Sequence, residues 1–178
     1  MNLDLCKRMA REEIVNKVAS SGIVMLDFEE IFPQGLRMSF DISIALTEGL
    51  ILREKDFREF VKNHDWSVYQ NAHVAVFCTT DTIIPHWALM LIASALSPFS
   101  AGAYFCTPPQ IEDFIFARLV QQLPLDRFKD QRVVIKGCSK KNIPASAYLA
   151  AAEKLSPVVK SLMFGEPCST VPVFKKKS

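Results

Sequence analysis

Glycine is scarce in this chain. Only six occur in 178 residues, and they form neither G-x-G-x-x-G nor G-x-x-x-x-G-K-[ST], so nucleotide binding through those two phosphate-cradling loops is excluded. A dominant charge is also missing. Lys and Arg number 21 against 19 Asp and Glu, for a net charge of +2, and Lys175-Lys176-Lys177 supplies much of the excess. Such a balance gives no electrostatic footprint for nucleic acid. No long apolar run is present either. The longest, Ile83 to Phe99, is interrupted by Pro85, His86 and Pro98 and falls short of the ~20 residues that span a bilayer. Residues 1–22 hold Asp4, Lys7, Arg8, Arg11, Glu12, Glu13 and Lys17 without an apolar stretch, so no secretory leader is read and a cytoplasmic location is expected. The five cysteines, Cys6, Cys78, Cys106, Cys138 and Cys168, contain no Cys-x-x-Cys pair. In a reducing compartment they are expected as free thiols.

Apolar side chains are plentiful. They make up 49% of the chain, with a mean hydropathy of +0.15, enough for a core that needs no disulfides. The length fits one domain over residues 1–178. Ile14, Val15 and Val18 are spaced for one face of a helix over 5–20, and Ile23 to Leu26 reads as a short strand. Residues 29–52 are ambiguous, with a turn at Pro33-Gln34-Gly35 and a short helix at Ile42 to Leu46. Phe57, Phe60 and Val61 predict an amphipathic helix over 55–63. His73 to Cys78 is almost entirely apolar, as in a strand buried on both faces. Pro85 suits the first turn of a helix, and Trp87 to Leu96, apolar on every side, predicts one that is fully covered. A strand at Ala103 to Cys106 and a helix at Ile111 to Gln122 follow. Val133 to Ile135 and Ser161 to Phe164 read as further strands.

Two of these segments match. Shifted by 59 residues (Pro85 to Pro144), both contain Ile-Pro-x-x-Ala-x-x-x-x-Ala-x-x-Leu-Ser-Pro. Val74 and Phe105 fall on Val133 and Phe164 at the same spacing. Cys78-Thr79 matches Cys138-Ser139 one residue further on. The repeat-like units run from about 73 to 106 and from about 132 to 165. A strand, a helix and a strand joined this closely make a βαβ crossover with parallel strands. The expected fold is therefore α/β: a mostly parallel sheet flanked by helices on both faces, containing two similar βαβ units.

Ligands of open α/β sheets bind beyond the carboxyl ends of the strands. Cys78, Cys106, Cys138 and Cys168 each follow a predicted strand, which sets four thiols toward one sheet edge. Three kinds of site compete there. Cys138 and Cys168 form a candidate site for a transition metal or an iron–sulfur cluster, because thiolates bind soft metals. Cys78, Asp81 and His86 are candidate contributors to it. Alternatively Cys138, after Lys136 and Gly137 and before the helix at Pro144, is a reactive thiol, and Cys168 lies in a small-residue loop, Gly165 to Thr170, able to cradle an anion. Ser139 and Glu166 are ligand-binding candidates beside these two cysteines. In the plainest account the cysteines are small core hydrophobes. Asp81 with its threonines caps the next helix, and His64-Asp65-Trp66 is a polar helix end rather than a base with its orienter.

Three stretches carry a family resemblance: Asp56-Phe57-Arg58-Glu59-Phe60-Val61-Lys62-Asn63-His64-Asp65-Trp66, then Ile83-Ile84-Pro85-His86-Trp87-Ala88, then Lys136-Gly137-Cys138-Ser139 with Gly165-Glu166-Pro167-Cys168-Ser169-Thr170-Val171-Pro172-Val173. Together they resemble the bacteroidete family known as domain of unknown function 2480, from about residue 12 to the tail. The resemblance implies no reaction. It implies a setting among iron–sulfur assembly proteins as partners, which favours a thiol or cluster role for Cys138 and Cys168. His86 departs from the family pattern, which weakens it as a ligand. Three readings stay open: an accessory protein that holds a metal or iron–sulfur species or relays sulfur through Cys138 and Cys168, a non-catalytic small-molecule or protein-binding module, and a thiol enzyme. A homodimer is expected from the uncovered apolarity of Trp87–Leu96.

Overall fold

The computed structural model describes residues 22–137, 140–166 and 169–177. The helix expected over 5–20 lies outside these residues. The described part is α/β, with strands that are mostly parallel and flanked by four helices, as the sequence leads one to expect. The strands fall into two sheets rather than one, and chain contacts divide into two compact units, each holding one sheet.

The three-stranded sheet has the order β2-β3-β4, from Arg37–Asp41, His73–Phe77 and Gly102–Phe105, all parallel. Its central strand is buried on both faces because alternate side chains meet different helices. Val74 and Val76 pack with Phe40 and Phe57, and with Ala88, Ile92 and Leu96 of α2 (His86–Leu96). Ala75 and Tyr104 pack instead with Ile111 and Ile115 of α3 (Ile111–Gln122). Phe57 lies on α1 (Glu54–Asn63), where Glu54 and Asp56 open the helix and Lys62 closes it, the charge order that suits a helix dipole. Each fully buried side chain of this size contributes roughly 1.5–3 kcal/mol. Helix α2 is not fully covered as predicted: Ala88, Ile92 and Leu96 are buried, while Met90 is 71% exposed. Helix α4 (Ala145–Leu155) joins the same unit through Tyr148, which meets Phe28 edge-on at 5.4 Å, as Phe116 of α3 does at 5.7 Å.

The four-stranded sheet has the order β1-β5-β6-β7, from Ile23–Leu26, Arg132–Ile135, Ser161–Glu166 and Ser169–Lys175. The first three strands are parallel, and β7 runs antiparallel to β6. Two strands escape the sequence reading. Strand β2 is hidden in the ambiguous stretch 29–52. Strand β7 contains Pro172, which argues against a central strand, but β7 is at the edge and its register shifts between Leu162 and Met163 of its partner.

The 59-residue match extends to the backbone. His73 pairs with Gly102 as Arg132 pairs with Ser161. The Asn71 amide donates to Phe99 O and the Asp130 amide to Val158 O, both at 2.8 Å. Ala101 donates to Ala72 O and Lys160 to Gln131 O, again at 2.8 Å. Asn71 and Asp130 both adopt positive φ, 57° and 54°, a conformation that Asn and Asp tolerate better than most residues. Ala88, Ile92 and Leu96 are buried, and so are Ala147, Ala151 and Leu155. The strand before each pair also matches: β1 and β2 meet their neighbours in one register, and in each the fifth residue from the strand start, Asp27 or Asp41, is an aspartate.

Candidate functional site

At the carboxyl end of the three-stranded sheet a cavity of about 290 Å3 opens among Phe77, Cys78, Phe105, Cys106, Thr107 and Gln110. Two of the cysteines that the sequence sends to a sheet edge therefore share one cavity. Cys78 is half-buried and Cys106 is buried, both as free thiols. They approach the cavity from opposite faces, since Cys78 packs on the α2 side of the sheet and Cys106 on the α3 side. Burial pushes the Cys106 thiol up from its ordinary pKa, which makes it a poor nucleophile at neutral pH. The far wall is fixed by Gln110 Oε1, which accepts from the Thr107 amide at 3.1 Å and the Thr107 hydroxyl at 2.7 Å.

Asp41 anchors the loop after Cys78. Its carboxylate accepts from the Thr79 hydroxyl at 2.7 Å, the Thr79 amide at 3.1 Å and the Ser43 amide at 2.9 Å. Burial works to raise its pKa, but these donors, with the Thr79 hydroxyl foremost, outweigh it and hold the carboxyl below its usual range. In the other sheet the matching Asp27 accepts from Lys136 Nζ at 2.7 Å. Phe164, the counterpart of Phe105, lies so close over Gly137 that a Cβ there would come within 2.8 Å of the ring.

The candidates fare unevenly. Cys138, Ser139 and Cys168 lie outside the described residues. Asp81 and His86 are exposed. Among the described residues no three His, Cys, Asp or Glu side chains gather as a metal site. The helix-capping role expected for the 79–82 loop is not found: the N-cap of α2 is Pro85, which offers no side-chain bond, and the Thr82 hydroxyl donates to Leu50 O instead. Glu166 is half-buried, and its Oε1 is shielded with no hydrogen-bond partner among the described residues. The expected single edge is not formed by one sheet: β3 and β4, which precede Cys78 and Cys106, and β5 and β6, which precede Cys138 and Cys168 in the sequence, belong to different sheets.

His64 and Asp65 do not form a base with its orienter, as the plainer account expects. Asp65 Oδ1 accepts from the Ser67 amide at 3.0 Å and the Ser67 hydroxyl at 2.5 Å. The His64 ring sits among Phe40, Phe60, Trp66 and Tyr69, nearest to Trp66 at 4.5 Å between centroids. A second polar group escapes sequence reasoning. His73 is buried, with Nδ1 3.1 Å from the Tyr104 hydroxyl and Nε2 3.0 Å from Gln34 O. Beside it Arg37 grips Glu112 at 2.6 and 3.1 Å, and Arg118 lies over the Tyr104 ring at 4.7 Å. The only sequence signal was a histidine opening an otherwise apolar strand.

Fold and edge together define an α/β protein with paired parallel-strand units and thiols beyond the strand ends. The family model described as protein of unknown function (DUF2480) matches residues 12–176, and the chain belongs to that family. No curated protein and no solved structure matches the chain. Among the described residues no helix is long and apolar enough to cross a membrane.

Proposed function

We propose that this chain is an accessory protein whose Cys138 and Cys168 hold a transition metal or an iron–sulfur species. The supporting observation is Glu166, two residues before Cys168. A shielded carboxylate oxygen without a partner among the described residues is costly to keep, and a cation resolves that cost. Two thiolates with one carboxylate suit zinc or iron better than calcium or magnesium. When bound, the metal would supply a Lewis-acid or electron-accepting centre, while the chain's own part is to position the two sulfurs and shield them from water. Iron–sulfur assembly proteins are the partners that suit such a centre, and a cytoplasmic, reducing setting suits its free thiols.

The test is anaerobic purification followed by metal and acid-labile sulfide analysis. About one metal equivalent per chain is expected, lost in Cys138→Ser and Cys168→Ser and weakened in Glu166→Gln. Metal-free protein, or metal retained in both cysteine variants, overturns the reading. The cavity at Cys78 and Cys106 favours a second one, a thiol-lined module for a small apolar ligand. In that case ligand binding protects Cys78 from alkylation and leaves Cys138→Ser protein unaffected.

A further inference from the structure

The two strand pairs differ at one edge. In the four-stranded sheet the outer edge of β6 is covered by β7, which runs antiparallel, with Phe164 paired to Val171. In the three-stranded sheet β4 holds the place of β6, but among the described residues no strand lies outside it. After Phe105 the chain leaves through Cys106 and Thr107 into the turn at Pro108–Gln110 and forms no hairpin. The Cys106 amide donates inward to Val76 O, and the His73 amide donates to Leu36 O on the β2 side. With Val74 and Val76 paired to Ala103 and Phe105, strand alternation turns the amides of Ala103 and Phe105 outward.

An open edge of this kind is a template for another strand unless it is guarded. Strand β7 guards its own free edge with Pro172 and Lys175. Strand β4, Gly102-Ala103-Tyr104-Phe105, carries no charge and no proline, and Phe105 is 59% exposed.

We propose that the outer edge of β4 is the interface through which two copies of this chain pair. A two-fold axis perpendicular to the sheet brings β4 against β4 of the second copy antiparallel, the orientation in which β7 already covers β6. The three-stranded sheets then join into one of six strands, and Phe105 gains the neighbouring strand that Phe164 has in Val171. Because Phe105 also lines the thiol cavity, pairing brings the two cavities of the dimer to the same seam.

Sedimentation equilibrium over a concentration series tests this. The wild-type chain is expected to move from its single-chain mass of 20.0 kDa to twice that mass. Phe105→Lys is expected to weaken association at least tenfold, with an unchanged far-ultraviolet circular dichroism spectrum. Val171→Lys, an equally exposed apolar site on β7, should leave association unchanged. Hydrogen exchange on wild-type protein supplies a readout free of any folding defect: the Ala103 and Phe105 amides should exchange more slowly as concentration rises. A chain that stays monomeric at millimolar concentration, a dimer that survives Phe105→Lys, or exchange at Ala103 and Phe105 independent of concentration overturns the proposal.

Discussion

Past the end of β3 the chain turns through Cys78 and Thr79, pinned by two hydrogen bonds from Thr79 to Asp41. Past the end of β5 it runs through Lys136 and Gly137, and here the matching Asp27 holds an ammonium instead. The strands before these loops match in register, turn geometry and buried helix positions, so the backbone scaffold is shared. The loop chemistry is not: Asp41, held by neutral donors, keeps its negative charge, whereas Lys136 offsets that of Asp27. Like scaffolds with unlike loops locate specificity in the loops, where α/β proteins usually keep it.

The strongest way to break the comparison is to truncate matched core leucines. Leu96→Ala and Leu155→Ala should each destabilise by about 2–5 kcal/mol in urea unfolding, and a large effect at only one of them would show that the two helices are not equivalent. Next, Asp41→Ala should cost about 0.5–1.5 kcal/mol, since it removes the hydrogen bonds from the exposed Thr79 and half-buried Ser43, and should speed alkylation of Cys78 measured by mass spectrometry. Unchanged Cys78 kinetics would mean that Asp41 does not restrain the loop. A pH series separates the polar pair at the other end of the sheet. Burial depresses the His73 pKa, so the folded state disfavours the proton and stability falls as pH drops below about 6.5, the unfolded value. His73→Gln should flatten that part of the profile. Asp41 follows the carboxylate pattern, with stability present above about pH 4 and lost below it. The smallest effect tests the matched turns: Asn71→Gly and Asp130→Gly should each shift stability by no more than about 1 kcal/mol and in the same direction.

The sequence reading located both βαβ units, because their apolar runs, prolines and alanines repeat in order. It missed β2, whose Arg37, Ser39 and Asp41 dilute the apolar pattern, and β7, whose Pro172 reads as a strand breaker. It expected one sheet because two βαβ units in series look the same whether they share a sheet or divide between two. Sheet membership depends on pairings of β1 with β5 and β2 with β3 over long separations, and no local pattern encodes them. The edge position of Cys78 and Cys106 was legible from strand order alone. Their shared cavity was not, and neither was the Asp41 anchor, which joins residues 38 positions apart. The His73–Tyr104 pair was equally hidden, since each residue looks like ordinary strand content.

Cys78 and Cys106 sit on neighbouring strands yet pack on opposite sides of the sheet. The sheet is therefore an insulator between them. A disulfide needs Cβ atoms roughly 3.5–4.5 Å apart and directed toward each other, and here the strand pairing would have to break first. Of these two thiols, oxidative stress should act on the half-buried Cys78, as a sulfenic acid or a mixed disulfide with a small thiol. Such a modification would sit in the cavity mouth beside Phe105 and leave the core sulfur of Cys106 untouched.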